Sequence, residues 1–109
     1  MGNVTAEIGR SASLDCVVTD STTAVGSIMR VIEDDCPGKG SIPSLQILRF
    51  LRPINIGDEL TTSVEVLNAE PHVIPTESLN VLACKYRLKA VVKNKKGDIL
   101  IKGEVEVLK

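Results

Sequence analysis

The chain has 109 residues and a formal net charge of -1, with 13 Lys and Arg against 14 Asp and Glu. That length allows one domain around one core, and the balanced charge offers no field for nucleic acid or for an anionic membrane surface. Phe50 and Tyr86 are its aromatic residues, which argues against base-stacking platforms and leaves an aliphatic core.

Cys16, Cys36 and Cys84 are odd in number, with no C-x-x-C pair and no histidine beside any of them. The pattern argues against zinc and disulfides and for free thiols in a reducing compartment. Residues 1–10 lack an apolar signal core, and no apolar run approaches the ~20 residues of a bilayer span. A cytoplasmic protein without membrane contact is therefore expected.

Taken in order, residues 1–10 read as a lead-in, or as a short extra strand with Val4, Ala6 and Ile8 on one side. Ser11 to Thr19 alternates Ala12, Leu14, Cys16 and Val18 against Ser13, Asp15, Val17 and Thr19, the period of a half-buried strand. Ser21 to Asp35 is the one convincing helix. Val25, Ile28, Met29 and Ile32 recur at helical spacing, flanked by Ala24 and Val31, with Ser27, Arg30 and Glu33 expected toward solvent. Asp20 or Ser21 can cap its start, and Cys36-Pro37-Gly38 stops it.

Residues 37–41, PGKGS, form a turn-rich crossover. Ile42 to Leu51 is a second strand, and Pro43 near its start points to a sheet edge. Pro53 ends that strand, and residues 55–58, NIGD, turn into a third at Glu59 to Leu67. Asn68 to Ser78, with two prolines and the single histidine, His72, reads as a solvated connection. Leu79 to Lys93 places Leu82, Cys84, Tyr86, Leu88, Ala90 and Val92 opposite Lys85, Arg87, Lys89 and Lys93. A loop over residues 94–97 leads to a last strand at Asp98 to Leu108, with Ile99, Ile101, Val105 and Val107 opposite Lys102, Glu104 and Glu106.

The expected architecture is α+β, a single domain over residues 1–109. One curved antiparallel sheet of five strands, six if the lead-in counts, wraps one central helix.

Residues 37–60, PGKGSIPSLQILRFLRPINIGDEL, carry a family signal. Pro37, Gly38, Gly40, Ser41, Gln46, Leu48, Arg49, Phe50, Pro53, Ile54, Gly57 and Asp58 fall in register with P-G-x-G-[ST] followed by Q-x-L-[RK]-F-x-x-P-[VI]-x-x-G-D. Asn94, Gly97, Asp98 and Gly103 match the ending. On these residues the chain resembles the MaoC-like, (R)-specific enoyl-CoA hydratase branch of the hotdog superfamily, from about Thr23 to Leu108. The resemblance implies a hotdog fold, homodimers joined edge to edge, no metal and no resident cofactor. As ligand it implies an acyl-CoA or acyl-carrier thioester.

The hydratases carry an Asp and, five positions on, a His after the first strand, then a His-Gly before the helix. This chain runs almost directly from Thr19 to the helix, reads Asp20-Ser21 where His-Gly would stand, and has Leu67 five residues before His72. The catalytic pair is missing, so hydration is not carried over.

The family's amide donors at the helix start would fall on Ser21, Thr22 and Thr23, where developing negative charge is favoured. Its ligand geometry would place pantetheine beside Gln46. The alternatives are an ordinary capped helix, and interface bonding for Gln46 and Arg49. His72 is the single candidate for a loop-borne base, yet its place between Pro71 and Pro75 favours an exposed, non-catalytic histidine. Glu33, Asp34 and Asp35 sit at the wrong end of the helix for hydrolysis, and Asp58 reads as a turn residue. Lys85, Arg87 and Lys89 could attract phosphates, against the simpler reading of a solvated face. Three functions stay open: thioester binding, thioester hydrolysis by an unidentified carboxylate, and a non-catalytic interaction module.

Overall fold

A computed structural model describes residues 7–34 and 37–109. The elements are β1 (Ser11–Val17), α1 (Thr23–Asp34), β2 (Ile42–Phe50), β3 (Glu59–Pro75), β4 (Asn80–Asn94) and β5 (Ile99–Leu108). All five strands join one antiparallel sheet in the order β1-β3-β4-β5-β2. The expected single helix on a five-stranded sheet is therefore what the chain forms. Val4 and Ala6 lie outside the described residues, and Ile8 sits in a turn rather than a strand.

The core is aliphatic apart from Tyr86. Ile28 and Ile32 of α1 are fully buried against Leu60, Val64 and Val66 of β3, Leu88 and Val92 of β4, and Ile101, Val105 and Val107 of β5. Burying each such side chain contributes about 1.5–3 kcal/mol. The helix is rolled slightly from the expected orientation. Ala24, Ser27, Ile28, Val31 and Ile32 are buried, while Val25 and Met29 are half-buried. Ser27 is thus a correction: it faces the core and not solvent, because its hydroxyl is satisfied by Ala24 O and Thr62 Oγ1, each at 2.6 Å. Asp35 and Cys36, at the expected helix end, lie outside the described residues. Cys16 and Cys84 are free and half-buried.

The larger correction concerns Asn68 to Ser78. Most of this stretch is strand: β3 continues to Pro75 and pairs with β4 throughout, from Leu60↔Asn94 to Pro75↔Asn80. A bulge between Val66 and Asn68 breaks the alternation, and beyond it Ala69 is buried. The ladder of β1 ends at Ser11↔Glu65, with Gly9 and Arg10 bonded to Val66 just beyond it, so among the described residues the rest of β3 is an edge, where Pro71 and Pro75 cost no ladder bond. The ladder of β5 with β4 runs to Lys85↔Leu108 and is extended by the two bonds between Cys84 and Lys109, each 2.9 Å, so residues 72–83 form a two-stranded ribbon beyond the five-stranded sheet. Leu82, expected inward, is 73% exposed because none of the described residues packs over it.

β2 is a free edge, in agreement with Pro43 in the sequence, and it bulges between Pro43 and Leu45. Gly103 on β5 lies opposite Leu48, and a Cβ there would collide with Ile47 O. Only glycine permits this approach.

Candidate functional site at the helix N-terminus

Two stretches meet at the start of α1. Val18 N donates to Asp58 O and Gly57 N to Val18 O, both at 2.9 Å, tying the end of β1 to the turn before β3. That turn is held from within, since Asp58 Oδ2 accepts from Asn55 N at 2.8 Å. Asp58 therefore acts structurally. The chain between β2 and β3 is drawn across the helix start and encloses an open groove of about 590 Å³. One wall is Val18, Asp20, Ser21 and Ala24; the other is residues 50–54 with Ile56. The lining is mostly apolar, with Asp20 and Arg52 as its charges.

The helix cap decides which amides face the groove. Asp20 Oδ1 accepts from Thr22 N at 2.8 Å and from Thr22 Oγ1 at 2.7 Å, and Thr23 Oγ1 accepts in return from Asp20 N at 3.2 Å. These reciprocal bonds close a capping turn over Asp20 to Thr23 that leads into α1, with Ser21 as its second residue. Hydrogen bonds from the Thr22 hydroxyl and then its amide hold the Asp20 carboxyl below its ordinary 3.8.

Of the three expected amide donors, that of Thr22 is taken by the cap, and that of Thr23 is directed at Asp20 O, 3.4 Å away. Ser21 lines the groove and, among the described residues, its amide has no protein partner. Ser21 stands at the positive end of the helix dipole, which favours an acceptor near it.

The other expected residues are not gathered here. Gln46 is exposed on β2, paired with Val105, and does not line the groove. It stands four residues before Phe50, or about 13 Å along the strand. His72 is on a strand, half-buried, opposite Ala83 in the ribbon. Glu59, at the groove end of β3, is thirteen residues away, about 40 Å of extended chain. His72 therefore does not serve this groove within one chain. Sequence reading missed Asp20 as a groove residue and missed the 50–56 wall, although Pro53 marked where β2 must end. Among the described residues, no cluster of His, Cys, Asp and Glu is arranged to hold a metal.

One helix held in an antiparallel sheet of this topology, with an open groove at the helix start, defines the chain as a hotdog-fold protein. No family model and no curated protein sequence matches it. Solved structures do. R-hydratase PhaJ1 from Pseudomonas aeruginosa superposes with a TM-score of 0.71 at 21% identity, over 93% of this chain and 80% of that one. The (R)-hydratase from A. caviae involved in PHA biosynthesis gives 0.74 at 20% identity, over 93% and 95%. A thioesterase superfamily member from Thermus thermophilus gives 0.71 at 15%, over 99% and 85%. The likeness to this branch is one of fold, shared by structures described as hydratases and as thioesterases.

Proposed function

We propose that the chain binds an acyl thioester in the groove at the start of α1, with the thioester oxygen on the amide of Ser21. The observation that carries this reading is that Ser21 lines a largely apolar groove of about 590 Å³ and its amide is unpartnered among the described residues. The acyl chain would lie against Val18, Ala24, Leu51 and Ile54. Hydratase turnover is expected near background, because the groove holds no histidine and its carboxylate is engaged in the cap.

Replacing Ser21 by proline tests the reading. Proline is accepted at the second position of the capping turn and removes the N–H together with the Ser21 hydroxyl, and Ser21→Ala, which removes the hydroxyl alone, separates the two effects. Binding of a hydrolysis-resistant acyl-CoA, measured by calorimetry, should weaken about tenfold, near the upper end of one hydrogen bond's worth. Unchanged affinity in a folded Ser21→Pro variant would contradict it.

Hydrolysis is the second reading, favoured by Asp20: it lines the groove, and its cap bonds use Oδ1, leaving Oδ2 to orient a water. Release of thiol from a panel of acyl-CoA esters, lost in Asp20→Asn, would support it. Asparagine keeps a capping acceptor, so loss of the helix would not mimic the result. A second copy is part of the proposal. β2 is an uncovered edge, and an antiparallel pairing of two such edges makes an isologous dimer.

A further inference from the structure

The face of the sheet turned away from α1 carries an unbalanced group of cations. Arg49 on β2 stands directly opposite Lys102 on β5. Lys102 in turn stands opposite Val91 on β4, with Lys89 and Lys93 two residues to either side. Residues two apart on a strand share a face. The four cations are therefore neighbours. Their surroundings are paired off: Lys85 reaches Glu106 at 3.8 Å and Arg87 reaches Glu104 at 3.4 Å, which neutralises two members of the basic row read in the sequence.

Arg49, Lys89, Lys93 and Lys102 have no ion pair among the described residues. The carboxylates facing them are Glu65 and Glu104, both opposite Lys89, and Glu104 is engaged by Arg87. Like charges directly opposite each other destabilise a sheet. Stability alone gives no reason to set Arg49 against Lys102.

The surface is also grooved and partly apolar. A depression of about 530 Å³ runs between Ile47, Leu51 and Leu67 and the heads of Arg49, Lys89 and Lys102. It continues in a second of about 310 Å³ beside Ser63, Val91 and Ile99, bordered by Lys89, Lys93 and Lys102. The chemistry suits an extended anionic partner better than a single phosphate. Backbone N–H groups in the middle of a sheet are spent in the ladder, so no amide nest is available to wrap a small anion. The cations are spread over three strands, roughly 10 Å across. That span matches carboxylates repeated along about two turns of a helix.

We propose that this face docks an acidic amphipathic helix of another protein, its carboxylates on Arg49, Lys89, Lys93 and Lys102 and its aliphatic side chains on Ile47, Leu51 and Leu67. This surface meets the groove at the start of α1 only at Leu51, so loss of helix docking and loss of thioester binding are scored separately.

The test is fluorescence anisotropy on the full chain, with a labelled eighteen-residue peptide that presents Glu and Leu along one helical face. Binding should weaken as salt rises. The double variant Arg49→Glu/Lys102→Glu should bind at least tenfold more weakly. Lys39→Glu/Lys96→Glu, the same change in charge at exposed sites elsewhere, should stay within twofold. Thermal melts guard against misfolding, and the mild variant Lys102→Gln, which removes a repulsion, should bind more weakly without melting earlier. Absence of binding, equal losses in both double variants, or displacement of the peptide by equimolar tripolyphosphate would overturn the proposal.

Discussion

Ser27 brings a hydroxyl into an aliphatic core and is held there by two contacts. Its single proton goes to Ala24 O, so Thr62, itself fully buried, must donate to Ser27 Oγ. Ser27→Ala would leave the Thr62 hydroxyl without an acceptor, at a cost of about 1–3 kcal/mol. Removing both partners in Ser27→Ala/Thr62→Val should cost less than the sum of the single changes. Urea denaturation of the four proteins measures this coupling directly. Additive losses would show that the pair is not a unit. Seven residues earlier, ahead of the helix, Asp20 contributes through its ionised form. Its pKa is lowered on folding, so the contribution is present above 3.8 and is lost as pH falls below that value. Asp20→Asn should therefore unfold with a shallower acid dependence in that range, read by circular dichroism.

At the scale of elements, the central question is how β2 is held. Its neighbour β5 presents Gly103 where a side chain would collide with Ile47 O and Leu48 Cα. Both contacts are backbone and cannot swing aside. Gly103→Ala should cost at least the ~3 kcal/mol that marks severe overpacking, or detach β2 from the sheet. Hydrogen exchange on residues 42–50 would report the detachment.

This glycine was legible in the sequence as part of the ending motif, as were the helix, the alternation of β1, β4 and β5, and the edge position of β2 signalled by Pro43. The length of β3 was not. One extra residue at Leu67 moves the following residues out of phase, and Pro71 and Pro75 read as strand breakers unless the edge is known to be free. Ser27 was misplaced for a related reason. Its partner Thr62 lies 35 residues away, and polarity alone sends a serine outward. The groove was legible only by half: the helix start was foreseen, but the wall at residues 50–56 depends on how the chain returns over it.

For the molecule as a whole, one chain leaves much apolar surface uncovered. Ile42, Leu45, Ile47, Phe50 and Leu51 on or beside β2 are each more than half exposed, and the ribbon exposes Leu79 and Leu82. The radius of gyration is 15.1 Å, against about 13 Å for a compact chain near this length. The hydrogen bond from Leu51 N to Leu100 O fixes which groups of β2 are spent. In an antiparallel ladder Arg49, Ile47 and Leu45 then bond to β5, so the polar backbone of Phe50, Leu48 and Gln46 points to the free edge. That row can pair with its own copy, and sedimentation velocity at micromolar concentration should show a dimer. Ile47→Lys with Phe50→Lys should shift it to monomer, while a wild-type monomer would refute the pairing.

Binding without hydration is the central claim for the same molecule, and adding crotonyl-CoA tests it most directly, with its enoyl absorbance followed while calorimetry records binding. Each general acid or base contributes about 10²–10⁴-fold to such a reaction. A groove without a histidine, its carboxylate tied into a cap, should give saturable binding and an absorbance that does not change above background. Steady loss of absorbance at the rate of an ordinary hydratase, or no heat of binding at millimolar ligand, would contradict it.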